Sequence, residues 1–281
     1  MSDLHSINEA INKKAGRKLL PSIAVGLSLI ALVWFTLSYQ REIFAIVVAA
    51  AVILGLRELV RAFAARGIVI SFNTLSLATI GLSYAAWVGG VAGLAIATAI
   101  AFPLLLIRAL LQGPEGFVAK ATATTFGLLY LPFLAGFLIL LARPSTGFQR
   151  VMTFMVLVGC NDTFGYIVGV LLGKHPLVPK ISPKKTWEGL IGSLVFTVIG
   201  GCLAFEYIMD MHWWIGIIVG LMIVFTATCG DLIESAMKRD LSLKDMGTLL
   251  PGHGGMLDRL DSVVLSAPAL WLAFELVKHF L

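Results

Sequence analysis

The chain has 281 residues, of which 58% are hydrophobic and only 13% charged, with a mean hydropathy of +0.93 and a formal net charge of +5. A soluble domain carries about 25% charged residues, and a globule of this length cannot hide so much apolar surface, so the composition excludes a soluble protein and predicts an all-α, polytopic membrane protein. Cys160, Cys202 and Cys229 lie scattered in apolar stretches with neither C-x-x-C spacing nor a neighbouring histidine pair, which argues against a disulfide framework or a zinc site.

Residues 1–18 are polar and then basic, and they lack the short apolar core and small-residue cleavage site of a secretory signal. They are expected to form a cytoplasmic N-terminus ahead of a first hydrophobic segment that is kept. A bilayer-crossing helix needs about 20 apolar residues, and on that length about nine segments can be cut. They fall at 19–37, 43–59, 68–87, 91–111, 122–141, 151–172, 189–208, 214–237 and 260–280, with Gly89 and Gly90 marking a short turn between the third and fourth. Basic residues remain preferentially on the cytoplasmic side during insertion. With the N-terminus inside, all of the 21 lysines and arginines fall on that side except Arg41, Arg143, Arg150 and Lys278. The positive charge therefore gathers on the face that meets cytosolic anions and anionic headgroups.

Polar residues at membrane depth are costly and usually serve a function. Asn161 and Asp162 interrupt the sixth segment, either facing a polar cavity or serving as interhelical packing glue beside Gly159 and Gly165. The following loop, GKHPLVPKISPKKTWEG, offers Lys174, Lys180, Lys184 and Lys185 as point charges, with Ser182 and Thr186 as hydroxyl donors. Such a loop suits a polyphosphate. It also reads as a topology anchor, with Trp187 at the interface, Ser182 as an N-cap and Pro183 in the first helical turn. The eighth segment ends in a polar stripe, because Asp231, Glu234, Ser235 and Lys238 follow one another at i, i+3, i+4 and i+7. The ninth opens likewise with Asp258, Asp261 and Ser262, after the loop LLPGHGGML. Each stripe alone could be a solvated or capped helix end. Together they bring two sets of carboxylates to one depth, where divalent cations could be held against phosphates.

The string SAMKRDLSLKDMGTLLPGHGGMLDRLD, residues 235–261, resembles the C-terminal signature of the phosphatidate cytidylyltransferases, the CDP-diacylglycerol synthases, at every constrained position. SPKKTWEG, residues 182–189, and CNDTFGY around Asp162 resemble two further strings of that family. Before residue 151 the likeness is one of hydropathy alone, which divides the chain into residues 19–150, a set of N-terminal helices, and residues 151–281, a catalytic region carrying the motifs. The resemblance implies that Asp231 and Asp258 bind metal, assisted by Asp261. It implies nucleotide or phosphate contacts from Ser182, Lys184, Lys185 and Thr186, with Asn161 and Asp162 nearby. Lys238, Arg239, Lys244 and Arg259 would neutralise the lipid phosphate or the departing pyrophosphate, and Asp245 fills the signature's K-D pair. His253, between Gly252 and Gly254, can be read either as an acid or base or as a phosphate ligand.

The implied activity is transfer of a cytidylyl group from CTP to phosphatidic acid, giving CDP-diacylglycerol and pyrophosphate. Mg2+, with room for a second metal ion, is the implied cofactor. The expected partners are CTP, phosphatidic acid, membrane lipids and a second copy of the chain, with no nucleic acid. The expected site is the cell membrane, with the active face toward the cytoplasm. An isoprenoid-ether lipid phosphate is an alternative acceptor. The CDP-alcohol phosphotransferases are set aside, because their D-G-x2-A-R-x8-G-x3-D-x3-D pattern is absent. An ion-coupled transporter would need polar residues through the whole membrane thickness, whereas these crowd toward one half.

Overall fold

The computed structural model describes residues 19–243, 245–247 and 254–280. The helices follow the apolar runs: α1 (Leu19–Tyr39), α2 (Arg41–Ala64), α3 (Phe72–Leu110), α4 (Phe117–Leu128), α5 (Leu134–Ala142), α6 (Gly147–Leu172), α7 (Trp187–Tyr207), α8 (Trp213–Asp240) and α9 (Leu257–Phe280). A single π turn, Leu129–Phe133, joins α4 to α5 around Pro132, whose missing N–H cannot sustain the regular ladder. Among the described residues, seven helical spans are long and apolar enough to cross a membrane. The protein is thus an all-α, multi-pass membrane protein in its spanning part.

Two local features shape the chain between its spans. The run 72–110 is not one straight rod, which at 1.5 Å per residue would be about 58 Å long against a hydrocarbon core of about 30 Å. Gly90 leaves the helical region at φ 63°, ψ −148°, a conformation that only glycine adopts without strain. A side chain on Gly93 would collide with the Ala85 carbonyl, so the two halves fold back against each other at the expected turn. The guanidinium of Arg143 donates to the open carbonyls there, at 2.7 Å to Trp87 O and 3.0 Å to Val88 O.

The second feature departs from the sequence reading: the loop after α6 contains a β-hairpin. Pro176–Val178 (β1) pairs antiparallel with Ser182–Thr186 (β2). Ser182 therefore does not cap a helix and Pro183 does not begin one. The N-cap of α7 is Thr186, whose hydroxyl accepts the Gly189 N–H at 3.1 Å.

Helices α6, α7 and α8 cross closely because small residues line their contacts, the usual device where lipid offers no hydrophobic drive to association. Gly201 of α7 meets Gly216 of α8 backbone to backbone, and Gly230 of α8 lies directly against the Asp261 and Ser262 backbone of α9. Helix α9 is central and packs on α8, α5, α2 and α6, with Leu257, Val264, Ala267 and Leu270 fully buried. Its first turn is therefore held on several sides.

Candidate active site

The polar residues singled out along the chain meet at the end of the bundle formed by the hairpin, the C-terminus of α8 and the N-terminus of α9. The hairpin is fixed first. Glu188 in the first turn of α7 accepts the N–H groups of Lys174 and His175 at 3.1 and 3.2 Å and meets His175 Nδ1 at 2.6 Å. Arg239 near the end of α8 donates to Ile181 O at 3.2 Å, tying that helix to the hairpin. Alternation along β2 then turns Lys184 to solvent and brings Lys185 into an ion pair with Asp231. Two residues remote in sequence thus become neighbours.

The stripe on α8 continues with a second charged cluster. Lys238 reaches Glu234 at 2.5 Å and Asp258 at 3.1 Å, so one ammonium bridges α8 and α9 between two carboxylates that are almost wholly removed from solvent. Asp258 also accepts the Gly255 N–H at 2.6 Å, reaching back from the first turn of α9 to the chain just ahead of it. One turn further along, Asp261 accepts the Ser262 N–H at 2.7 Å, and the Ser262 hydroxyl donates to Asp162 at 3.4 Å. Asn161 donates to Asp162 at 2.9 Å, and its own carbonyl accepts the Ser193 hydroxyl at 2.7 Å. The Asn161 main-chain carbonyl thus joins α6 to α7, while the Asp162 side chain reaches Ser262 of α9. Gly165 sits against Ser193 at this crossing, whereas Gly159 has no such neighbour.

The sequence-derived residues fall into three groups. Asp162, Asp231 and Asp261 border the space between α6, α8 and α9, as the Ser262 bond to Asp162 and the contact of Gly230 with the Asp261 backbone place them, and Lys185 meets Asp231 there. Asp258 joins Lys238 and Glu234, about one helical turn nearer the loop than Asp231. Ser182 and Lys184 flank the cluster on β2, with Arg239 and Asp245 exposed and Arg259 half-buried at its margin. Lys244 and His253 lie outside the described residues.

The donor set suits a hard cation, which takes carboxylate and amide oxygens. Among the described residues, two buried oxygens at the site, Asn161 Oδ1 and Glu234 Oε1, find no hydrogen-bond partner, and such groups call for an ion or water. Among the described residues, no three His, Cys, Asp or Glu side chains already converge as a cage. An ion such as Mg2+, which prefers a few carboxylates together with substrate oxygens to an all-protein cage, would be compatible with such donors.

One residue of this region was not singled out from the sequence. Glu58 of α2 is 6% exposed and accepts the N–H groups of Met256 and Leu257 at 3.0 and 2.9 Å. Its signal was present all the same, as a carboxylate inside the second apolar run.

The profile of the cytidylyltransferase family matches residues 22–277. A phosphatidate cytidylyltransferase of Mycobacterium leprae is 38% identical over 283 residues, covering 94% of this chain and 90% of its own length. One of Mycobacterium tuberculosis strain H37Rv is 36% identical over 280 residues, covering 94% and 84%. One of Staphylococcus aureus strain COL is 42% identical over 137 residues, covering 48% and 52%.

Proposed function

The chain belongs to the cytidylyltransferase family, and on that premise we infer that it transfers the cytidylyl group of CTP to phosphatidic acid, forming CDP-diacylglycerol and pyrophosphate. The observation that carries this reading is the meeting of Lys185 with Asp231. It joins the basic β2 string to the carboxylate stripes, so that phosphate-binding cations and metal-binding anions share one site at the membrane surface.

The attacking phosphate oxygen of the lipid is already anionic at neutral pH and needs no general base. Catalysis then rests on position and on neutralised charge. Lys184 and Lys185 grip the triphosphate, and the hydroxyls of Ser182 and Thr186 lie beside them. Lys238, Arg239 and Arg259 offset the charge of the lipid phosphate and of the pyrophosphate as it leaves. Asp231, Asp258 and Asp261 would hold Mg2+, with Asp162 beside them. When bound, the ion supplies charge neutralisation at the phosphates.

Nine crossings result if α1 spans and the run 72–110 is counted as two at Gly90, and the distribution of basic residues then argues for an N-terminus in the cytoplasm. The hairpin and the α8–α9 connection then face the cytosol, where CTP is found. Cysteines placed at Lys180 and Asp245 should react with an impermeant maleimide in inside-out vesicles and not in sealed cells; labelling in sealed cells would reverse the topology.

Labelled CTP and phosphatidic acid, given to the purified protein with and without Mg2+, test the reaction. Label should enter the lipid phase only with the metal, and no transfer under any metal condition would dismiss this reading. Within the site, glutamine at Lys184 should raise KM for CTP about tenfold with little change in kcat, since a ground-state charge contact is lost. At Lys185 the same change should lower kcat as well, because it also frees Asp231. Steady-state kinetics over a CTP titration separates the two.

A further inference from the structure

We infer that α2 and the turn after it form a clamp that sets the catalytic carboxylates of α9 in place, with Glu58 and Arg66 as its two positioning residues. The clamp grips both shoulders of the α8–α9 connection. At the first shoulder, α8 ends and presents carbonyl groups that no helical N–H can satisfy. Arg66 donates there to Asp240 O at 2.6 Å, Leu241 O at 3.3 Å and the Ser242 hydroxyl at 2.5 Å. At the second shoulder, α9 begins and presents unpaired N–H groups, and the Glu58 carboxylate accepts those of Met256 and Leu257.

The charges match the ends they serve. A helix carries partial negative charge at its C-terminus and partial positive charge at its N-terminus, so a guanidinium suits the first and a carboxylate the second. Both come from one helix and its turn, eight residues apart, and both bind partners at least 174 residues away in sequence. The fit around Glu58 is close. A Cβ on Gly247 or Gly255 would overlap the Glu58 carboxylate, so the glycines on either side of the connection admit it.

This arrangement acts on the site without touching substrate. Leu257, held through its amide, directly precedes Asp258, and Gly255, held by Asp258, directly precedes Met256. The three amides that start α9 are thus shared between Glu58 and Asp258. Rotation or fraying of that turn would swing Asp258 from Lys238 and shift Asp261 relative to Asp231. The N-terminal helices thereby contribute to catalysis, by holding the geometry that the C-terminal motifs require.

The inference rests on the proposed function for its kinetic arm and stands apart from it in its structural arm. Hydrogen–deuterium exchange of detergent-solubilised protein, without metal or nucleotide, should show the peptide covering residues 254–262 exchanging about tenfold faster in Glu58→Gln than in wild type, as charge-assisted hydrogen bonds are lost. Peptides from α6 and α7 should be unchanged. In the transfer assay kcat should fall about tenfold with KM for CTP within about twofold, and Glu58→Asp should recover part of the loss. Arg66→Gln should instead loosen the peptide around residues 238–243, and it serves as the deciding variant if Glu58→Gln does not fold. Unchanged local exchange would overturn the clamp. So would exchange that rises evenly over all helices, or local loosening with wild-type kcat. If the local loosening appears but wild-type protein transfers no cytidylyl group, the clamp stands as structure and the proposed reaction falls.

Discussion

Asparagine at Asp231 is expected to lower kcat by about 100-fold while leaving the protein folded and inserted. The substitution keeps the shape of the side chain and removes its charge. Two consequences follow from where Asp231 sits. Lys185 loses its partner and is left among the remaining carboxylates, and the oxygen donors between α6, α8 and α9 lose their link to the basic hairpin. Asparagine at Asp258 should have a loss of similar size by a different route, because Lys238 then has Glu234 as its one remaining carboxylate and a single amide oxygen is left to serve both the Gly255 N–H and the Lys238 ammonium. If the two carboxylates serve one metal-dependent step, the double variant should be little worse than either single one, since residues that act as a unit are not additive. Raised Mg2+ should partly restore the single variants. The measurement is kcat over a Mg2+ titration for the two singles and the double; near-wild-type turnover in either single variant would remove that residue from the site.

Methionine at Lys238 should be the most destabilising single change in this region. It keeps the stem and deletes the cation that bridges Glu234 and Asp258, whose side chains are 3% and 8% exposed. Breaking a buried pair from one side leaves uncompensated charge and costs about 3 to 5 kcal/mol. The cost should appear as a marked drop in the melting temperature of the detergent-solubilised protein. Replacing Glu234 with glutamine in the same chain removes one of the two stranded charges and should recover a good part of the drop. A Lys238→Met protein that melts with wild type would show that the cluster contributes nothing to stability.

Much of this architecture was legible in the residues. Apolar runs fix where the helices lie, because a lipid-facing helix must be apolar over its whole span. The Gly89–Gly90 turn was fainter, since two glycines in an apolar run mark only a short break, and it is the backbone at Gly90 that makes it definite. The stripes of α8 and α9 follow from helical periodicity, and the antiparallel crossing at Gly230 puts them face to face. The hairpin was not legible. Pro183 and the lysines of β2 look like a helix start by local preference, and it is pairing with Pro176–Val178 and the hold of Glu188 that make this segment extended. The division of Asp231 and Asp258 between adjacent clusters was hidden for a similar reason. Spacing places both residues at one depth, but the partner each takes depends on where Lys185 and Lys238 arrive from elsewhere. Glu58 had a signal in its burial within an apolar run, yet its partners are backbone amides, which no pattern of side chains reveals.

The arginine that closes the break at Gly90 imposes an order on how the protein is made. Residues 72–110 emerge from the ribosome as a full pair of apolar helices, but the hydrogen bonds that the carbonyls of Trp87 and Val88 accept from Arg143 form only once that residue has been synthesised and has emerged. Arg41 waits for the same short turn, since it donates to the carbonyls of Arg143 and Pro144. Two early hairpins, one ending at α2 and one turning at Gly90, are therefore provisional for as long as translation takes to reach the turn after α5. These contacts within the N-terminal half are therefore completed by a late arrival and not hairpin by hairpin. A chain truncated before residue 143 would lack both sets of contacts, and one released after this turn has left the ribosome would have them.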